Sequence, residues 1–446
     1  MRRTLLLTIS LLLITLSFPV CLAEQDEGWE RFELSYSPDK SGFEDITSHM
    51  LNTPHVEGFV ELPNIKNASG FIAQWENGEL QVDTDGDGEV DETTRKPGLT
   101  CEMQLSSDAG VSYPYAVCFE RYNIALEEKR DLPLLRWRRS CCVEGRVNGE
   151  QVRIFDDSAN GKYDDMGDDS VAVGRSEVAS QLSKLIVLGG ELFEFRVDPF
   201  GRWCETRPYE GETGTFNAFD KFDKSPRLLR EPLAFVVEHK DDSSILIDVA
   251  RKNDCPVPVG EYELKLAILS DRVFVKGGES ESVKVEAGKK AFFEWGGPYE
   301  LHTKAWVENS GYKLEMDKSG ARARYKQVPY EFPTVKIAFP VIKGEGGEFY
   351  VGNPLYKDIM GNCFADGAVQ SFEVKIFNYK NRQMNKGEHR WKHHHNQGYG
   401  YANGYTFEMY QCPFKDFRGI AKVILKVNSK IFGDLEFETK LEVEYE

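Results

Sequence analysis

Short runs rich in Val, Ile, Phe, Tyr and Trp recur along this chain, and Gly, Pro or Asn-Gly turn signals separate them every ten residues or so. Many runs alternate apolar and polar residues, which is the pattern of strands that bury one face. Helical spacing is scarce. Because 446 residues exceed one typical domain, the sequence predicts a mainly β protein of several modules: a β domain with calcium loops, followed by two small β-sandwiches.

The order of the modules follows from shifts in composition along the chain. The stretch 207–230 is rich in Gly, Pro, Asp and Lys, as linkers are. The run Pro256–Leu269 (PVPVGEYELKLAIL) resembles the closing strand of bacterial transthyretin-like and immunoglobulin-like modules, which implies a small β-sandwich there. We predict a signal peptide at 1–23, a lead-in at 24–55, a β domain with two acidic loops at 56–206, a linker at 207–230, and β-sandwiches at 231–328 and 329–446.

The stretch from Asp83 to Asp91, DTDGDGEVD, places carboxylates at every second residue beside a glycine. Calcium takes six to eight oxygen ligands, and a loop of this kind supplies them when a glycine permits a sharp turn. Val90 is predicted to anchor the loop to a core. The predicted ligands are Asp83, Asp85, Asp87, the backbone carbonyl of Glu89, and Asp91.

This loop resembles the calcium loops of EF-hands, dockerin modules and thrombospondin type 3 repeats over about a dozen residues. It departs from the EF-hand at Thr94, where a bidentate glutamate would stand. Turn signals at 77–78 and 97–98 leave no room for two helices, so we expect the loop to join strands. An acidic surface turn is the alternative interpretation.

A second acidic loop, DDSANGKYDD, repeats the same phase. It follows a predicted hairpin of Cys142–Val147 and Gln151–Phe155, turned by Asn148-Gly149. Its neutral members predict weaker calcium binding, unless Asp165, Asp168 or Asp169 contributes. An Asn-Gly turn with solvated aspartates explains the same residues equally well. The predicted ligands are Asp156, Ser158, Asn160, the backbone of Lys162, and Asp164.

The N-terminus predicts export. Arg2 and Arg3 precede an apolar run, and Ala23 ends a signal peptide whose removal takes the net charge from −18 to −20, because two arginines are lost. No later run is long enough to span a membrane. The acidic balance argues against nucleic acid as a partner. We therefore expect a periplasmic, cell-surface or secreted location.

Eight of the nine cysteines follow the predicted cleavage site, and an even count in an exported chain predicts disulfides. Proximity in sequence favours Cys101 with Cys118 and Cys363 with Cys412. The remaining four would pair among themselves: Cys141, Cys142, Cys204 and Cys255.

A stretch near the C-terminus combines histidines, aromatic residues, Gly and Asn. Aromatic faces beside amides are typical of sugar-binding surfaces, and clustered imidazoles can bind transition metals. A hydrated loop and ordinary strand packing are the alternatives. The candidate surface for a glycan or a surface protein comprises Trp391, His393, His394, His395, Tyr399 and Tyr401.

Two functions from different classes remain. The favoured prediction is an exported calcium-binding multidomain β protein with a non-catalytic binding or structural role at the cell surface or matrix. The alternative is a secreted, calcium-stabilised hydrolase that acts on polysaccharide or another polymer. No motif for a catalytic serine, a phosphate loop or a zinc protease occurs in the sequence.

Overall fold

The computed structural model describes residues 28–38, 73–76, 79–85, 87–96, 98–106, 110–125, 131–158, 160–176, 178–219, 222–223, 232–270, 273–316, 323–338, 341–351, 369–377, 383, 408–413, 419–429 and 431–443. The predicted signal peptide lies outside these residues. Within them the chain forms β-strands and one 3-10 turn, with no α-helix, which confirms the predicted mainly β class. None of the helical segments in this described part has the length and apolar character that a membrane crossing requires.

The N-terminal half contributes seventeen strands among the described residues. They are β1 (Glu30–Glu33), β2 (Ser35–Pro38), β3 (Ala73–Glu76), β4 (Glu79–Val82), β5 (Glu92–Thr94), β6 (Gly98–Ser106), β7 (Ser112–Ala125), β8 (Asp131–Arg139), β9 (Cys141–Val147), β10 (Glu150–Phe155), β11 (Ser170–Val173), β12 (Ser180–Gln181), β13 (Leu185–Leu188), β14 (Glu191–Val197), β15 (Trp203–Pro208), β16 (Thr213–Phe216) and β17 (Phe222–Asp223).

The C-terminal half adds the remaining described strands and the 3-10 turn Val249–Arg251. The strands are β18 (Ala234–His239), β19 (Asp242–Asp248), β20 (Cys255–Pro258), β21 (Gly260–Ser270), β22 (Val273–Lys276), β23 (Val283–Val285), β24 (Lys290–Ala291), β25 (Trp295–Gly296), β26 (Glu300–His302), β27 (Ala305–Met316), β28 (Ala323–Ala338), β29 (Val341–Lys343), β30 (Phe349–Val351), β31 (Val369–Phe377), β32 (Glu408–Pro413), β33 (Gly419–Ser429) and β34 (Gly433–Val443).

These strands form several separate sheets that are almost entirely antiparallel. Strand β33 shows why the sequence folds this way: Val423, Leu425 and Val427 are buried on one face, whereas Lys422 and Lys426 pair with glutamates of β34 on the other. The strand orders are β1-β15-β14-β13, β12-β11-β10-β9-β2, β20-β16-β24, β17-β25, β19-β18-β21-β22-β30-β29-β26 with β23 beside β21, β27-β28-β32, β3-β4-β5, β31-β33-β34 and β6-β7-β8.

Two large hydrophobic cores organise the described part of the chain. We call the first the N-terminal core; strands β4, β6, β7, β9, β10, β11, β14 and β15 all contribute to it, and its members include Leu80, Val82, Met103, Tyr115, Val152, Ile154 and Phe195. The second, the central core, includes Phe216, Phe235, Val237, Ile247, Tyr262, Trp295 and Tyr350. Both predicted calcium loops extend from strands of the N-terminal core.

Strand pairing shows where the predicted segments lie relative to the sheets. Two strands of the predicted lead-in join the first β domain, since β1 pairs with β15 and β2 with β9. Within the predicted linker, β16 pairs with β20. Strand β22 pairs with β30, which lies beyond position 328. The module boundaries themselves stay predictions.

No disulfide joins any two of the six cysteines whose side chains the structure describes. The prediction of a Cys101–Cys118 bond was wrong for this structure, and the register of β6 with β7 explains why. Cys101 lies opposite Val117, while Cys118 lies opposite Thr100. Adjacent strand residues project to opposite faces, so the two sulfurs lie on different sides of the sheet. The suggested partner of Cys412, Cys363, lies outside the described residues.

Candidate metal centre

The loop 83–91 connects β4 to β5, as predicted, and the two strands pair up to Val82 and Glu92. A hydrogen bond from the Asp91 amide to the Val82 carbonyl (2.9 Å) closes the base of the loop. Gly88 has φ of +93°, a left-handed conformation that side chains rarely adopt. The glycine of the motif therefore does what the sequence predicted: it lets the chain turn back sharply.

Three carboxylates of this loop converge. Asp83, Asp85 and Asp91 each offer one oxygen, and these three atoms lie within 4.8 Å of one another. Asp83 is buried at 1% exposure, whereas Asp85 and Asp91 are exposed. In the described part of the chain, this is the only such convergence of three or more acidic, histidine or cysteine side chains. A set of hard oxygen donors with solvent on one side can hold a metal ion.

Backbone and hydroxyl donors fix the geometry of the loop. The Gly88 amide donates to Asp83 Oδ2 (2.8 Å), and the Asp87 amide donates to Asp85 Oδ1 (3.1 Å). Asp91 Oδ2 accepts hydrogen bonds from the amide and the hydroxyl of Thr84, at 2.7 and 2.8 Å. These bonds lower the pKa of Asp91, with the Thr84 amide as the main cause.

The remaining predicted residues of this loop lie outside the triad. Asp87 uses Oδ1 to accept the Glu89 amide (2.7 Å), and both residues are exposed. The prediction that Val90 anchors the loop to a core was wrong, because this side chain is 46% exposed. Burial is supplied instead by Leu80 and Val82 on β4, which belong to the N-terminal core. The loop is therefore held by its strands.

The second acidic loop, 156–169, follows β10, and its first and last aspartates are buried. Asp156 is fully buried and accepts four hydrogen bonds: from the Tyr115 hydroxyl (2.7 Å), Ser158 Oγ (3.0 Å), the Asn160 amide (3.2 Å) and the Gly161 amide (2.7 Å). Protein donors thus occupy both oxygens of this carboxylate. The Lys162 amide donates to Asn160 Oδ1 at 2.9 Å, so the predicted positions 160 and 162 also bond to each other.

Asp165 and Asp169 complete this loop. Ser158 Oγ lies 3.2 Å from Asp165 Oδ2, and the Asn160 side-chain amide donates to the same oxygen. Asp169 accepts the amides of residues 157, 158 and 165 at 3.0–3.3 Å. The predicted ligand Asp164 is half-buried, and burial raises its pKa. The sequence predicts Asp165 and Asp169 only as additional calcium ligands.

A buried ion pair lies beside the second loop, and the sequence did not predict it. Arg139 donates Nη2 to Asp157 Oδ1 at 2.7 Å, with side-chain exposures of 2% and 0%. Its other terminal nitrogen donates to the Cys141 carbonyl (3.0 Å), and its guanidinium stacks 4.5 Å from the Phe155 ring centre. Nothing in the local sequence marks this arginine, because it comes from the end of β8, 18 residues away.

Burial changes the acidity of the second loop. Desolvation raises the pKa of Asp156 from 3.8 to about 6, although the Tyr115 hydrogen bond opposes the shift. Desolvation, and then repulsion from Asp156, raise the pKa of Asp169 to about 9. A cation entering this buried loop has to displace protons as well as protein donors.

The candidate binding surface formed by Trp391, His393, His394, His395, Tyr399 and Tyr401 lies outside the described residues. A scan of protein-family models found no match to this chain, and a search of curated proteins returned no relative. Among the described residues, the acidic triad is the group of side chains that could hold a metal ion.

Proposed function

We propose that this chain is an exported, calcium-binding protein of several β modules, with a non-catalytic binding or structural role at the cell surface or matrix. The observation that carries the proposal is the convergence of Asp83, Asp85 and Asp91 on one point of the loop 83–91. Glu89 offers its backbone carbonyl, and Asp87 supplies a further carboxylate in the same loop.

The donor set favours calcium over other common ions. Zinc prefers nitrogen and sulfur ligands, and the triad contains neither. Magnesium needs near-ideal octahedral geometry and keeps several waters, usually with one or two carboxylates. Three carboxylates on a nine-residue turn suit an ion that tolerates flexible coordination by six to eight oxygens. Calcium also matches the sequence pattern that placed these aspartates at alternate positions.

The exposure of the site suits a compartment rich in calcium. Asp85 and Asp91 are exposed to solvent, and only Asp83 is buried. Such a site gains little from burial, so we place its dissociation constant in the range of extracellular modules, about 10⁻⁴ to 10⁻³ M. Export by the predicted signal peptide takes the chain to such a compartment, and N-terminal sequencing of the exported protein should begin at Glu24.

Calcium would act on the fold through β4 and β5. The ion would reduce the repulsion among the three carboxylates of the loop and hold both ends of the loop together. Because Leu80 and Val82 pack into the N-terminal core, stiffening the loop stiffens that edge of the core. In the proposed role, the C-terminal module carries the binding surface that includes Trp391, and its partner is a glycan or a surface protein.

Thermal unfolding with and without calcium tests this proposal. At a calcium concentration one hundred times the dissociation constant, a single site adds about 2.7 kcal/mol to the free energy of unfolding. The double variant Asp85→Asn with Asp91→Asn should lose this gain. The matched control Asp241→Asn, on an exposed turn elsewhere, should keep it. Calcium-dependent cleavage in a screen of polysaccharides would instead establish the hydrolase and end the non-catalytic proposal.

A further inference from the structure

A polar pocket of about 440 Å³ lies apart from the two acidic loops, since none of the ligands predicted in those loops lines it. Strand β11, the turn between β13 and β14, and the 3-10 turn after β19 together form its wall. Val173 belongs to the N-terminal core and Val187 to the central core. The pocket therefore sits at a seam between two packed bodies, where ligand sites are common, and its volume falls in the usual range.

Two opposite charges flank the turn at Gly189-Gly190. The Gly189 amide donates to Glu150 Oε1 (2.6 Å), and Lys252 Nζ donates to the Gly190 carbonyl (3.2 Å). Lys252 lies so close that a Cβ at position 190 would come within 2.5 Å of Nζ. The turn thus fixes one carboxylate and one ammonium at the mouth of a single pocket.

An ion pair between Arg251 and Asp248 lies next to Lys252, the positively charged residue of the pocket. Arg251 Nε lies 3.3 Å from Asp248 Oδ2, Nη1 donates to the Val173 carbonyl (3.2 Å), and Nη2 donates to Ser180 Oγ (3.4 Å). Asp248 in turn accepts the amides of Phe235 (2.9 Å) and Ala250 (3.2 Å) through Oδ1. These bonds lock the 3-10 turn in place and so position the adjacent Lys252.

Apolar side chains provide the remaining wall. Val173 and Val187 are buried, whereas Leu233 is 46% exposed at the rim of the pocket. An exposed leucine beside two valines leaves apolar surface that a ligand side chain can cover. None of the described residues that line the pocket is aromatic, so they offer no ring on which a sugar could stack.

We propose that this pocket binds a small zwitterion with an apolar side chain, namely a free apolar amino acid. Lys252, supported by Arg251, receives the carboxylate, Glu150 receives the ammonium through its second oxygen, and the valine wall receives the side chain. A ligand with only negative charge would meet repulsion from Glu150, and a neutral polyol would leave the apolar wall exposed.

Calorimetric titration of the full mature protein with leucine, isoleucine, valine and methionine tests the proposal. We expect saturable binding of at least one of them, weakened at least tenfold by Lys252→Met and by Glu150→Gln. Both substitutions preserve shape, and glutamine keeps the acceptor for the Gly189 amide. The control Lys240→Met removes an exposed lysine outside the pocket and should bind as the wild type does.

Two analogues of whichever amino acid binds test the ammonium contact and the carboxylate contact one at a time. The N-acetyl derivative removes the ammonium, the amide derivative removes the carboxylate, and each should bind at least tenfold more weakly than the parent. The proposal is overturned if none of the four amino acids binds, if an analogue binds as tightly as its parent, or if both pocket variants bind like the wild type. Binding of glucose in place of the amino acids would also overturn it.

Discussion

The two acidic loops carry the same ligand pattern, and the fold treats them in opposite ways. In the loop 83–91, three carboxylates converge with two of them in solvent. In the loop 156–169, Asp156 and Asp169 are buried and saturated by protein donors. The first loop brings three carboxylate oxygens within 4.8 Å of one another beside solvent. The second loop uses its oxygens to bind backbone and side-chain donors.

Aspartates at the spacing of a calcium loop therefore specify the shape of the loop, but this spacing does not by itself specify an ion site. Aspartates at alternate positions accept amides two to five residues along in both loops. Burial then decides what the remaining oxygens do. We therefore expect calcium to bind first and more tightly at 83–91, and the integrity of the fold to depend more on 156–169.

The largest expected effect comes from the ion pairs beside the two loops. Arg139→Ala leaves Asp157 buried without its partner and should lower the free energy of unfolding by about 3–5 kcal/mol. Arg95→Ala breaks an exposed pair with Glu79 next to the first loop and should cost at most about 1 kcal/mol. Urea denaturation measures both, and equal losses would remove the contrast between the loops.

The glycines of the two motifs give the next contrast. Gly88→Ala forces a side chain into a left-handed conformation and should cost about 1–2 kcal/mol. Gly161 has φ of +82°, and its added Cβ would also lie 3.0 Å from Leu105 and 3.2 Å from the Tyr113 hydroxyl. Gly161→Ala should therefore cost about 1–3 kcal/mol more than Gly88→Ala. A smaller loss at position 161 in equilibrium unfolding would contradict tight packing of the second loop.

Removing one hydroxyl donor from an aspartate in each loop gives a further contrast between the loops. Tyr115→Phe takes one donor from buried Asp156 and should lower the free energy of unfolding by about 1–3 kcal/mol. Thr84→Val takes one donor from exposed Asp91, which water can replace, so the loss should be below about 0.5 kcal/mol. The measurement is urea denaturation in chelator, and a Thr84→Val loss as large as that of Tyr115→Phe would show that the first loop is also a structural element.

A slope of stability with pH in the presence of chelator gives the last contrast between the two loops. Because the folded-state pKa is raised to about 6 at Asp156 and to about 9 at Asp169, the native state binds more protons than the unfolded state above pH 3.8, the usual pKa of an aspartate. Stability should therefore fall as pH rises from about 4 toward 9, by at most about 1.4 kcal/mol per pH unit for each proton. Asp169→Asn should flatten the slope and Asp91→Asn should not, as denaturation at several pH values would show.

Local turn chemistry was predictable from the sequence. The Asn148-Gly149 signal gave the hairpin of β9 and β10, and both residues adopt the positive φ that such a turn needs. The convergence of Asp83 and Asp85 likewise follows from their spacing and from Gly88. These features depend on residues within one turn of each other, so a single stretch of sequence contains the information.

Contacts between distant strands were not predictable. Tyr115 meets Asp156 across 41 residues, and β1 pairs with β15 across more than 170. The register of β6 with β7, which separates Cys101 from Cys118, depends on which faces are buried in the assembled core. The exposure of Val90 has the same origin, because an apolar residue in a loop is buried only if another strand covers it.

Calorimetric titration of calcium into the chelator-treated, full mature chain tests the central claim most directly. The account predicts saturable binding at about 10⁻⁴ to 10⁻³ M, weakened at least about tenfold, or about 1.4 kcal/mol, by Asp85→Asn and unchanged by Asp241→Asn. A flat titration of the wild-type protein, or binding that Asp85→Asn leaves intact, would contradict it.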